Sequence, residues 1–142
     1  MPLWKIYCPV DTFTDADKRS VAGALTKLYG RAMPRFYVGV IFQEVAENNF
    51  YIGGEPTKRF VRIWADHIAR TMDTPEAKKR FFDGVNGIIL PLMEERGLDW
   101  ELHVDETPFD LWKIQGISPP PAGSEDDKRW TVENRPSART HS

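Results

Sequence analysis

Several residue types are scarce in this 142-residue chain, and each scarcity excludes a class of protein. The single cysteine, Cys8, excludes an intrachain disulfide and is typical of a protein from a reducing compartment. The longest apolar runs, such as residues 87–93, are too short to span a bilayer, and no secretory signal pattern precedes the first strand-like segment. We therefore expect a cytoplasmic protein with no membrane partner.

Excess charge of one sign is also lacking, because the formal net charge is only −2. A chain without a basic surplus is not expected to bind nucleic acid, so an anionic small molecule would need a local group of arginines. What the chain does have is bulk for a core: 41% of its residues are hydrophobic, with five Trp and eight Phe. Its length and composition predict one globular domain.

The first half of the chain has the pattern of a β-α-β unit. Residues 3–8 form a short aromatic-rich run that predicts a strand. Thr14 is a good N-cap, with Asp15 and Asp17 at the positive end of the following helix, and Gly30 marks its exit. The β-branched and aromatic residues 35–45 then predict a second strand.

The second half repeats that pattern 60 residues later. Residues 59–68 predict a strand, and Thr74 caps a helix that has Pro75 at its first position. Pro91 is expected to kink this helix or end it early, and Gly97 is expected to stop it. The alternating residues 100–106 predict a last strand. Gly53 and Gly54, between the halves, favour a hairpin turn.

Two tandem β-α-β units predict an α+β fold with a four-stranded mixed sheet and both helices on one face. The other face of such a sheet is left uncovered, so we expect an oligomer. We place this core in residues 1–107. Residues 108–142 show no periodicity but contain Trp112 and Trp130, which predicts an extension that packs on the core or on a neighbouring subunit and has a loose end.

Five segments together resemble the tautomerase superfamily, in particular the cis-3-chloroacrylic acid dehalogenase branch and its fungal relatives. They occur in the order PLWKIY, FYVGVIFQEV, NNFYIGG, IWADHIAR and DETPFDLWKIQG, and the resemblance extends to about residue 116. It implies a homotrimer that acts on a small carboxylate substrate without a cofactor or a metal.

In that family the initiator methionine is removed, and the proline nitrogen acts as general base or acid. The resemblance transfers this role to Pro2. Burial lowers the pKa of an α-amine from about 8 toward neutrality, where it can both accept and return a proton. The alternative is that Pro2 only begins a strand. If Met1 stays attached, the Pro2 nitrogen is an amide without basicity.

Four further residues become candidates through the same resemblance or through their position. Arg70 matches an arginine that binds the substrate carboxylate, a task suited to the guanidinium fork. Tyr29 matches a catalytic histidine of the first helix, and His103 matches a tyrosine that handles water in the dehalogenases. Tyr37 begins the second strand and is a candidate to face the pocket. The alternatives are a solvated loop for Arg70, the core for Tyr29 and a solvated strand face for His103.

Besides Tyr29 and His103, the chain departs from the dehalogenases at two further positions. The second substrate-binding arginine is matched by Asp73, and the catalytic glutamate falls at Ile114 or Gln115, neither of which is a base. We therefore predict a tautomerase-type enzyme for a small 2-oxo or unsaturated carboxylic acid. Dehalogenation, hydration or decarboxylation of a three-carbon acid is one alternative, and a non-catalytic oligomeric binding protein of the same fold is another.

Overall fold

The computed structural model describes residues 1–30, 32–68 and 70–140. The strands of these residues are β1 (Pro2–Pro9), β2 (Gly39–Val45), β3 (Tyr51–Ile52), β4 (Glu55–Pro56), β5 (Phe60–Ile68) and β6 (Asp99–Thr107). The helices are α1 (Asp15–Leu28), α2 (Pro75–Arg96) and α3 (Glu125–Glu133).

The main sheet has the strand order β2-β1-β5-β6. β1 pairs parallel with β2, and β5 pairs parallel with β6, while the two units meet through the antiparallel pair β1 and β5. This is the predicted α+β fold, a tandem β-α-β repeat with a mixed four-stranded sheet. β3 and β4 form the predicted hairpin, and Gly53 and Gly54 supply the positive φ angles of its turn.

The core lies between one face of the sheet and the pair α1 and α2. Alternate side chains of the central strands, such as Trp4 and Ile63, point to this face and are buried with Leu25 of α1 and Ile89 of α2. The alternation follows from the period of two along a strand, which sends every second residue to the same side.

Both long helices begin as the sequence predicts, and α2 ends at Gly97, as the sequence also predicts. The Thr14 and Thr74 hydroxyls each accept a bond from a backbone N–H three residues on. Pro91 was also expected to kink α2 or to end it early. Pro91 does not end the helix, because α2 continues to Arg96 and stops at left-handed Gly97. Pro91 is exposed, while Ile89 and Met93 on the buried face keep the following turn packed on the sheet.

The other face of the sheet carries a polar network rather than a second core. Lys5 forms an ion pair with Asp66 at 3.2 Å, and its ammonium lies 4.2 Å from the ring centroid of Trp64. The Trp64 indole donates to Asp105 at 2.9 Å. These contacts bridge β1, β5 and β6 on the side away from the helices.

Two sequence predictions outside the sheet need correction. The segment predicted as one strand over 35–45 begins as a turn of 3-10 helix, Arg35–Tyr37, after Pro34, and becomes β2 only at Gly39. The region after Pro108, which lacked periodicity, contains the helix α3, whose first turn is capped by the Ser124 hydroxyl.

The C-terminal extension packs on the same chain. Trp112 and Trp130 are buried with Met33 and Tyr37 in a second apolar cluster, which Met1 and Ile68 also contact. Asp126 accepts hydrogen bonds from the backbone and hydroxyl of Thr140, and the expectation of a loose end stays a prediction. Residues 141 and 142 lie outside the described residues.

Candidate active site

One cavity of about 350 Å³ opens at the edge of the sheet where β1 begins and β5 ends. Topology brings four chain segments to this place. β1 and β5 are antiparallel, so the start of the one meets the end of the other; α1 returns along β1 and ends here, and α2 begins here after β5. The cavity is lined by Pro2, Leu28, Tyr29, Ala32, Met33, His67, Ile68, Arg70, Met72, Ala77, Arg80 and Phe81.

The N-terminus lies in the wall of this cavity. Pro2 is buried and pairs with His67 in the register of β1 and β5. Met1 precedes it in this structure, so the Pro2 nitrogen is an amide and the titrating group is the Met1 amine. That amine donates to the carbonyl of Ile68 at 2.5 Å. Burial, with a smaller contribution from the charge of Arg70, lowers its pKa from 8.0 to about 5.

Arg70 lines the same cavity as Pro2, as the sequence led us to expect. Its guanidinium donates to the carbonyl of Ala32 at 3.0 Å, which ties the segment after β5 to the segment after α1. Arg80 of α2 brings a second guanidinium to the lining. The remaining walls are largely apolar, so the positive charge faces a site of low polarity, where ionic hydrogen bonds are strong.

Tyr29 stands at the C-terminal end of α1 in a short chain of hydrogen bonds. Its hydroxyl accepts from the Trp4 indole at 3.1 Å and lies 2.7 Å from Nε2 of His67. Burial raises the pKa of the Tyr29 phenol, although the hydrogen bond from Trp4 acts in the opposite direction. Burial first, and then the charge of the amino terminus, lowers the pKa of His67 from 6.5 to about 4. Both side chains are therefore neutral at pH 7.

Two candidates from the sequence lie elsewhere. His103 was expected opposite Pro2, but it lies on the other face of the sheet, where it stacks on Trp64 and contacts Arg62. Strand alternation explains the error: His103 pairs with Trp64 in register, and both point away from the helices. Tyr37 is buried in the second apolar cluster against Trp112 and does not line the cavity.

Two ionisable residues of the lining, His67 and Arg80, were not among the candidates from the sequence. His67 shares the parity of Val61, Ile63 and Ala65 along β5, so the alternation already placed it on the helix face. Arg80 lies on the first turns of α2, and no pattern in the sequence distinguishes it from the neighbouring lysines.

Within residues 1–30, 32–68 and 70–140, no three His, Cys, Asp or Glu side chains are grouped as metal ligands would be. None of the helices in this part of the chain is long and apolar enough to cross a membrane.

Comparison with known proteins identifies the family. A family model described as "Putative oxalocrotonate tautomerase enzyme" matches residues 1–135. The chain belongs to the tautomerase superfamily. This membership supports an enzyme at the level of the superfamily. A search of curated proteins finds no match.

Two solved structures share both sequence and fold with this tautomerase-superfamily member. RhCC from Rhodococcus jostii RHA1 is 42% identical, with a TM-score of 0.92 over 96% of this chain and 99% of that chain. A protein from the thermophilic fungus Aspergillus fumigatus, described as "a probable enzyme", is 41% identical, with a TM-score of 0.93 over 98% of each chain.

A third structure shares the fold alone. It is N1, a member of the cis-3-chloroacrylic acid dehalogenase family, which is 20% identical with a TM-score of 0.72 over 92% of this chain and 96% of that chain.

Proposed function

We propose that this tautomerase-superfamily member interconverts the enol and keto forms of a small 2-oxo or related unsaturated carboxylic acid, without a cofactor. Removal of Met1 turns the Pro2 nitrogen from an amide into a free amine, and this amine is the general base and acid. The observation that carries the proposal is that the N-terminus and Arg70 line one largely apolar cavity.

The environment of the N-terminus suits a base. Burial and the nearby Arg70 lower the pKa of the Met1 amine to about 5. We expect the same two causes to lower the pKa of a Pro2 amine, which lies one residue further into the strand. An amine whose pKa lies below 7 is neutral at neutral pH and has a lone pair ready for a proton.

The reaction needs one proton to move from oxygen to carbon. The neutral Pro2 nitrogen takes the proton of the enol hydroxyl, the carbonyl forms, and the protonated proline returns the proton to the adjacent carbon. No atom is gained or lost, and no electron acceptor is required. Arg70 holds the carboxylate so that the reacting atoms stay next to Pro2.

The assembly belongs to the same proposal. The face of the sheet that α1 and α2 leave uncovered carries Ile41, which is 48% exposed, beside the ion pair of Lys5 and Asp66. We propose that this face meets two further copies of the chain in a homotrimer. Light scattering should then report about three times the 16.3 kDa chain mass. The mass of a single chain at micromolar concentration would exclude the trimer.

The enzymatic proposal is tested by ketonisation of the enol of phenylpyruvate, followed by its loss of ultraviolet absorbance. We expect activity from protein that begins at Pro2, and a slower reaction from Pro2→Ala, which keeps an amine but makes it primary and more mobile. If the protein that begins at Pro2 is inactive on a panel of such enols but still binds carboxylates, the chain is a binding protein instead.

A further inference from the structure

His67 has one ring nitrogen that makes no hydrogen bond to the residues that the structure describes. The side chain lines the cavity and is only 4% exposed, with Phe81 packed edge-on against the ring at 5.0 Å between centroids. Nε2 is bound to the Tyr29 hydroxyl, whereas Nδ1 makes no hydrogen bond to any residue in the described ranges. A polar atom left unpaired in such a place costs free energy unless a ligand or a water meets it.

The proton on the Tyr29 hydroxyl decides which tautomer His67 adopts. The Trp4 indole can only donate, so the Tyr29 oxygen accepts from it. If Tyr29 donates its own proton to Nε2, only the Nδ1–H group lacks a partner. If His67 donates instead, both the Tyr29 proton and the Nδ1 lone pair lack partners. The first arrangement leaves one polar group for a ligand or water in the cavity to meet, whereas the second leaves two, which favours the first.

We propose that His67 is a catalytic residue of this cavity, whose Nδ1–H donates a hydrogen bond to the carbonyl or enol oxygen of the bound 2-oxo acid. The nature of the ligand rests on the function proposed above. The position suits the task, because His67 faces Pro2 across β1 and β5. Pro2, which moves the proton from oxygen to carbon, and His67, which donates a hydrogen bond to that oxygen, then lie on adjacent strands.

A neutral imidazole is the suitable donor here. Its hydrogen bond strengthens as negative charge develops on the oxygen, but it does not transfer a full proton and so leaves the carbonyl product intact. Burial and the charge of the amino terminus lower the pKa of His67, and the smaller opposing effects of Glu106 and Asp66 do not restore it. Tyr29 and Trp4 become positioning residues, which fix the tautomer rather than touch the substrate.

Two amide variants separate this role from a structural one. In His67→Asn the amide nitrogen can occupy the region of Nδ1, whereas in His67→Gln the amide lies near Nε2 and can only hold Tyr29. With the enol of phenylpyruvate, we expect His67→Asn to keep kcat within about tenfold of wild type. His67→Gln should lose about a hundredfold or more, the effect of removing a donor to an oxyanion. The reverse order would overturn the proposal, because it would show that His67 serves only to hold Tyr29.

A measurement on the wild-type protein keeps the proposal testable if a variant fails to fold. With ¹⁵N-labelled histidine, we expect Nδ1 of His67 to be protonated and Nε2 unprotonated at pH 7, and the Nδ1 resonance to shift when oxamate binds. A protonated Nε2, or an Nδ1 resonance that oxamate does not move at any concentration, would overturn it. This readout does not need Pro2 as a base. An oxamate-induced shift in a protein without tautomerase activity would therefore contradict the proposed function alone.

Discussion

Acidification should destabilise this protein through His67, because the folded chain resists protonating a buried imidazole. The pKa of His67 is about 4 in the folded protein, against 6.5 for an ordinary histidine. Between these values the unfolded chain binds the proton and the folded chain does not. The free energy of unfolding therefore falls as the pH drops from 6.5 to 4, and the loss amounts to about 3 kcal/mol.

The assay is urea unfolding of wild type and His67→Asn over a pH series, at one fixed protein concentration because an oligomer is expected. The amino terminus, whose pKa is also lowered, destabilises both proteins in acid alike. We therefore expect the advantage of wild type over the variant to shrink by about 3 kcal/mol from pH 7 to 4. As a control, Ile89→Val should cost about 1 kcal/mol at every pH. Parallel curves for wild type and His67→Asn would refute the assigned burial of His67.

Two further predictions concern the substrate anchor and the C-terminal extension. Arg70→Ala should raise KM about 10- to 100-fold, since a hydrogen bond to a charged group is worth about 1.5–3 kcal/mol. The KM of Arg70→Lys should lie between those of wild type and Arg70→Ala. An unchanged KM in steady-state kinetics would show that Arg70 does not hold the substrate. Trp130→Ala should lower the free energy of unfolding in urea by about 3–5 kcal/mol because Trp130 is fully buried, whereas Val132→Ala in the same helix, 86% exposed, should change it little. Equal stability of the two α3 variants would show that the extension does not pack as described.

The sheet and its two long helices could be predicted because local signals agree with the tertiary structure. Thr14 and Thr74 cap helices that the apolar periodicity also indicates, and Gly53 and Gly54 allow only a tight turn. α3 could not be predicted in the same way. Its nine residues bury chiefly Trp130, so its sequence has no apolar stripe, and its place is fixed by contacts with residues nearly 100 positions away, such as the bond from the Phe36 amide to Asn134.

The candidate site could also be predicted only in part, because some of its residues are brought together by tertiary contacts. Pro2 and Arg70 were found through a family resemblance, and their meeting in one cavity follows from the antiparallel pairing of β1 and β5. His103 lies on the solvated face that its alternation with the apolar Trp100, Leu102 and Val104 indicates, whereas the resemblance to the dehalogenases made it a candidate for the site. His67 was not a candidate because its role depends on the hydrogen bond of its Nε2 to Tyr29, 38 residues away. Only the folded structure brings these two atoms within 2.7 Å.

The central claim is that the nitrogen of Pro2 is the base, and the removal of Met1 tests it most directly. Two preparations of the wild-type chain, one beginning at Pro2 and one that keeps Met1, are compared in the ketonisation of the enol of phenylpyruvate over pH 4–9. Intact mass confirms each N-terminus. We predict that the protein beginning at Pro2 is active, with kcat/KM rising through a pKa below the 8.0 of an unperturbed amine, and that the Met1 form is inactive. Equal activity of the two forms would contradict the account and leave Pro2 as the first residue of a strand.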